Sequence, residues 1–162
     1  MSMRHSLCCW VFVLMLQACA SGVKTTMATP EVSQAWSGRI SLQVQSEPPQ
    51  QLNASFGLQG AAQQGQLDVY SPFGTTLASL KWSAQEAVFQ QGDQQQRFAS
   101  VSLMTERLTG TALPMAELFD WLNGKSTHVA GWQTDVSQIG NGWLFATRTS
   151  PAPTVLLKIK LD

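Results

Sequence analysis

Histidine, cysteine and charge are scarce in this chain, and each scarcity removes a class of function. The histidines are His5 and His128 alone, so no His pair, HExxH helix or Cys-His arrangement can be assembled away from the N-terminus. The three cysteines, Cys8, Cys9 and Cys19, all fall at the start, which leaves nothing to form a disulfide in the rest. Charged residues are 12% of the chain and the formal net charge is zero, against a usual quarter; glutamine fills much of the polar surface instead. A neutral chain exerts little long-range pull on nucleic acid or on an acidic membrane surface, so apolar or weakly polar partners are expected. No glycine-rich phosphate loop occurs. Asp68, Glu86, Asp93, Glu106, Glu117, Asp120 and Asp135 stand singly on turns, edges and exposed helix faces; a carboxylate pair or a Ser-base pair brought together by folding stays open. Nucleophilic and metal chemistry thus have little to work with.

What is present begins with a leader. Arg4 and His5 form a basic start, and Leu7 to Leu16 is mostly apolar, too short to span a bilayer, which takes roughly 20 apolar residues. Leu16-Gln17-Ala18-Cys19 then resembles the lipobox of a bacterial lipoprotein signal peptide. On that resemblance residues 1–18 are removed and Cys19 becomes a lipidated N-terminus; the other reading is an ordinary cleaved signal with a free thiol. Ala20, in place of an aspartate, resembles the outer-membrane address. Residues 19–35 are small and polar, a flexible tether, and residues 36–162 are one domain.

That domain starts in period two. Trp36, Gly38, Ile40, Leu42 and Val44 alternate with polar residues, and the pattern returns at Leu52 to Leu58, Leu67 to Val69 and Ala78 to Trp82, as in half-buried antiparallel strands. Ser71-Pro72-Phe73-Gly74 fits a type I turn that puts Phe73 at a hairpin tip. Two shorter strands, Ala87 to Gln90 and Arg97 to Ala99, flank a glutamine-rich turn. The period then becomes helical: Ser102 can cap a helix carrying Leu103, Met104, Arg107 and Leu108, and Pro114 opens a second with Met115, Leu118, Phe119 and Leu122 on one stripe. Strands resume at Thr127 to Trp132, Asp135 to Ile139, Trp143 to Arg148 and Thr154 to Leu161, with Asn141-Gly142 as a hairpin turn. The expected fold is mainly β, a curved antiparallel sheet of eight to ten strands whose apolar face is covered by its own curl and the two helices.

The order of these elements, with Tyr70-Ser-Pro-Phe-Gly-Thr-Thr, Leu108-Thr-Gly110, Leu113-Pro114-Met115, Trp121-Leu122, Gly124 and Gly142-Trp143-Leu144-Phe145, resembles the LolB family over most of residues 36–161. The resemblance implies an incomplete barrel with a helical lid over an apolar cavity, and no nucleotide, metal or other cofactor. It implies a monomeric outer-membrane lipoprotein, on the inner leaflet and facing the periplasm, that takes acylated lipoproteins from the carrier LolA and releases them into the membrane. Phe73 stands where the family usually has a protruding leucine, so Pro72, Phe73 and Gly74 become a membrane-contacting loop; the alternative is a ring folded back onto Tyr70.

Shielding two or three acyl chains from water is worth tens of kcal/mol at about 0.8 per methylene, which a dry cavity can offset. Its expected lining is Ile40, Leu42, Leu52, Phe56, Leu67, Leu80, Trp82, Met104, Met115, Leu118, Phe119, Trp143 and Phe145, methionine suiting chains of varied shape. Two other classes stay open: a structural or assembly lipoprotein with a solidly packed barrel, and a hydrolase with a hidden reactive pair.

Overall fold

A computed structural model of the chain describes residues 34–162. The signal segment, Cys19 and most of the expected tether lie outside the described residues. Nine strands form a single antiparallel sheet: β1 (Gln34–Val44), β2 (Gln50–Gly60), β3 (Gly65–Tyr70), β4 (Thr76–Trp82), β5 (Ala87–Gln91), β6 (Gln94–Phe98), β7 (Trp132–Asp135), β8 (Trp143–Arg148) and β9 (Val155–Leu161). Two helices, α1 (Val101–Thr109) and α2 (Met115–Leu122), come between β6 and β7. The spatial order β6-β5-β4-β3-β2-β1-β9-β8-β7 leaves β6 and β7 as unpaired edges, so the barrel is incomplete. β1 begins at Gln34, and the last two residues of the expected tether already belong to the sheet.

The alternating pattern decides which face is buried. Leu42 and Val44 of β1, Phe56 and Leu58 of β2, and Val155, Leu157 and Ile159 of β9 all point to the core, because residues two apart share a face. The register runs straight across, pairing Ile40 with Ala54 and Ile159, and Leu42 with Leu52 and Leu157.

Both helices lie against this face. Ser100, not Ser102, caps α1, its side chain accepting from Leu103 N–H at 3.2 Å. Met104 and Thr105 of α1 are buried, while Leu103 is half exposed. Gly110 ends α1 in the left-handed region with its N–H on Glu106 O. Met115, Phe119, Trp121 and Leu122 of α2 are buried, a wider arc than the expected stripe. Trp121 is fully buried against Trp132, with ring centroids 5.7 Å apart, and its indole donates to Thr127 O at 2.8 Å. Asp120 accepts from the Thr127 hydroxyl and, at 3.3 Å, from Lys125. The Thr127 bond, then Lys125, hold its carboxyl below the ordinary carboxylate range.

The late part of the chain departs from the expected strands. Thr127 to Gly131 is not a strand; β7 covers Trp132–Asp135, and Ile139–Asn141 is a 3-10 turn that Gly142 closes with φ +78°. Asn141-Gly142 therefore ends a longer β7–β8 connection and is not a two-residue hairpin. The opposite happens at the glutamines: Gln94–Phe98 is strand, and the β5–β6 turn shrinks to Gly92 and Asp93. Glutamine's long side chain is at home on an exposed edge strand.

At Gly38 the backbone of β9 leaves no room for a side chain. Gly38 holds φ +155°, and a Cβ there would run into the Lys160 carbonyl of β9. Gly38→Ala is expected to destabilise the domain by more than about 1 kcal/mol, through strain and a displaced β9, read as a lower urea midpoint; an unchanged midpoint would show that the pairing adjusts freely.

Candidate functional site

Between the core face of the sheet and the two helices lies a cavity of about 590 Å³, within the ~300–1,000 Å³ of sites that bury a small apolar molecule. Ile40, Leu42, Leu52, Phe56, Leu67, Leu80 and Trp82 of the strands line it, with Met115 and Leu118 of α2. Val101, Thr105 and Leu108 of α1 and Leu122 of α2 complete the cover. A packed barrel would have no such void.

Its two ends differ. At one end the Phe119 ring sits edge-on to Trp36 and to Trp82, with centroids 5.4 and 6.3 Å away. Trp82 is fixed there by its indole N–H, which donates to Ala61 O and Ala62 O at 3.2 and 3.1 Å. Leu58 and Ala87 fill in beside it. At the other end the lining residues are exposed: Leu52 by 38% and Leu77 by 43%, with Gln50, Gln51, Gln91 and Gln96 around them. Leu52 and Leu58 are the two ends of one strand's inner row, and Leu77 and Trp82 stand at opposite ends of β4, Leu77 at its bulge. The cavity is thus sealed by aromatic rings at the Trp82 end and opens at the Leu52–Leu77 end.

The β3–β4 turn projects from that same open end. Gly74 N–H donates to Ser71 O at 3.0 Å, as a type I turn requires, and the Ser71 hydroxyl accepts from Phe73 and Thr75 N–H at 3.2 Å each. Gly74 takes φ +82°. Phe73 at the tip is 95% exposed; it does not fold back onto Tyr70.

Four of the residues expected on the cavity wall are elsewhere. Met104 and Phe119 are buried in the core without facing the void. Trp143 and Phe145 lie on the opposite face of the sheet, their rings stacked 5.8 Å apart at 13°, while Leu144 and Ala146, which alternate with them, turn inward. The register explains it: Leu144 pairs with Ile159 and Ala146 with Leu157, whereas Trp143 pairs with Lys160 and Phe145 with Lys158. The expectation took β8 in the wrong phase because its aromatics outweigh a leucine and an alanine. Lining residues that it missed, Val44, Leu58, Val69, Leu157 and Ile159, stand in phase with Leu42, Phe56 and Leu67 or with one another on β9, and counting in twos would have found them. Leu77 and Leu113 carry no such signal.

Among the described residues, His, Cys, Asp and Glu side chains form no group of three suited to a metal ion, and His128 is exposed.

These features define a half-open β-barrel protein with an apolar cavity under a helical cover. The family described as outer membrane lipoprotein LolB matches residues 34–146. The outer-membrane lipoprotein LolB of Cupriavidus necator is 32% identical over 154 residues, covering 88% of this chain and 78% of its own length. That of Cupriavidus taiwanensis is 30% identical over 167 residues, covering 94% and 82%. The chain belongs to the LolB family, and with it to the lipid-anchored proteins of the outer membrane.

Leu118 is half buried and faces the void from α2, so it contributes less to packing than its neighbours Phe119 and Leu122. Leu118→Asp is expected to weaken binding of a fluorescent fatty-acid probe by about tenfold or more while leaving the β-sheet circular dichroism intact. Unfolding of this variant would instead make Leu118 a packing residue.

Proposed function

We propose that this protein is a lipid-anchored acceptor that takes lipoproteins from the periplasmic carrier LolA, holds their acyl chains in the cavity and releases them into the outer membrane. The observation that carries this reading is the coincidence of the cavity mouth with the exposed Phe73 turn. Acyl chains leaving the mouth at Leu52 and Leu77 emerge beside the one large ring that the described residues leave almost fully in water.

Each step has a physical source. The cavity removes apolar surface from water, worth about 0.8 kcal/mol per methylene, so a chain that leaves a similar cavity in the carrier loses little on transfer. The sealed Trp82 end sets how far a chain enters. Entry into the bilayer buries the same methylenes again, so the whole passage can run downhill without a nucleotide. Phe73 is worth roughly 1.5 to 3 kcal/mol on entering lipid, enough to hold the mouth on the membrane and too little to anchor the protein. The anchor is Cys19, the lipidated end of the mature chain, with the residues between it and β1 as its tether. The deciding experiment is transfer of a purified acylated lipoprotein from LolA to this protein without nucleotide; failure of cargo to leave the carrier would overturn the reading.

Two substitutions separate the parts. Cys19→Ala is expected to abolish acylation and give a soluble domain that still folds; labelled palmitate on that variant would refute the assignment. Phe73→Glu should leave cargo acceptance intact and slow release into liposomes about tenfold or more, with Phe73→Leu nearly silent. Wild-type release by the glutamate variant would make Phe73 a bystander.

A further inference from the structure

The outer face of the sheet carries a groove that the cavity function leaves unused. It runs over β2, β1, β9 and β8 and is lined by Arg39, Lys158 and Lys160, with Trp143 at one side and Pro72 at the other. Register brings the cations together. Tyr70, Ser55, Arg39, Lys160 and Trp143 form one transverse row of the sheet, and Asn53, Ser41, Lys158 and Phe145 form the next. Lys158 Nζ lies 4.5 Å from the centre of the Trp143 ring and Lys160 Nζ 5.2 Å from it, and Lys160 donates to Asn141 O at 2.7 Å.

No carboxylate lies within 4 Å of any of the three cations among the described residues, where the ion pairs are Arg97 with Glu86 and Lys125 with Asp120. Asp68 and Asp162 share the outer face but belong to the neighbouring row at Ser37, held by Gln66 and by Ser37 itself. The neutrality of the whole chain thus conceals three positive charges collected on one patch.

The position of that patch suggests its ligand. Pro72, next to Phe73, forms one wall of the groove, so a bilayer surface that receives the Phe73 ring is brought up to the cations. Lysines laid over exposed aromatic rings suit the boundary between headgroups and water. We propose that Arg39, Lys158 and Lys160 bind the phosphate of an anionic phospholipid headgroup, a second contact that fixes which way the cavity mouth faces once Phe73 has touched the membrane. This builds on the reading of the Phe73 turn as the membrane-contacting loop. A groove of this charge also fits an acidic protein surface, but nothing apolar at its edge would then be needed.

The test uses the full acylated chain reconstituted in vesicles, with the rate of lysine acylation by a water-soluble reagent followed residue by residue in mass spectra. In phosphatidylglycerol-containing vesicles Lys158 and Lys160 should react about fivefold more slowly than in purely zwitterionic ones, from roughly a factor of five per cation held at an anionic surface. High salt should abolish the difference. Lys125, beyond the sealed end, should react equally in both. Persistence of the protection in Phe73→Glu would support the groove even where insertion of the turn fails. Equal rates for Lys158 and Lys160 in the two vesicle types would overturn the proposal, as would protection that arises only when an acidic carrier protein is added.

Discussion

The cluster of Phe119 with Trp36 and Trp82 governs the shape of this molecule. An open antiparallel sheet with an apolar face has to be covered, and two short helices cannot cover nine strands completely. Phe119 pins α2 to the start of β1 and the end of β4, so the cover is tight at one end and the shortfall collects at the other. The cavity follows from that asymmetry: the same sheet and helices, docked centrally, would give either a filled core or a void with no mouth. Because β3 and β4 join at the loose end, their turn is carried to the rim of the opening, and its apolar tip lies where contents would leave.

Much of this was legible in the residues. The inner rows of β1 to β4 are written in period two from Trp36 to Trp82, and helical spacing from Met115 to Leu122 marks the cover. The Ser-Pro-Phe-Gly order gives the turn with Phe73 at its tip, whereas the choice between an exposed ring and one folded back onto Tyr70 came from the structure. Failures occurred where local pattern and tertiary demand disagree. In β8 the aromatics Trp143 and Phe145 suggested a buried face, yet they pack on lysine stems outside while Leu144 and Ala146 go in; aromatic size is a poor guide when an alternating strand is apolar in both phases. The segment after α2 was read as two strands, but the hydrogen bonds of Thr127 to Trp121 and Asp120 hold its start near the helix and leave only Trp132–Asp135 to pair. Ser102 is the candidate cap by sequence, but α1 starts two residues earlier and Ser100 takes the Leu103 N–H instead.

Composition has no spatial content. A net charge of zero speaks against long-range attraction to nucleic acid or an acidic membrane surface, but it does not say where the charges sit. Pairing Arg39 with Lys160 across β1 and β9 concentrates positive charge on one side of the sheet, while acids such as Glu86 and Asp120 find their partners elsewhere. A neutral chain can be polarised, and here the polarisation falls beside the exposed Phe73 turn.

The central claim is that acyl chains occupy the space between the sheet and the helices. It is tested most directly by charging the protein with a lipoprotein whose acyl chain carries a photoactivatable diazirine near its methyl end, and mapping the cross-links. The account predicts adducts on the wall side chains, Leu80 and Leu118 among them, near the sealed Trp82 end. Cross-links confined to Phe73 and the outer-face residues Trp143 and Phe145, with none on the cavity wall, would contradict it.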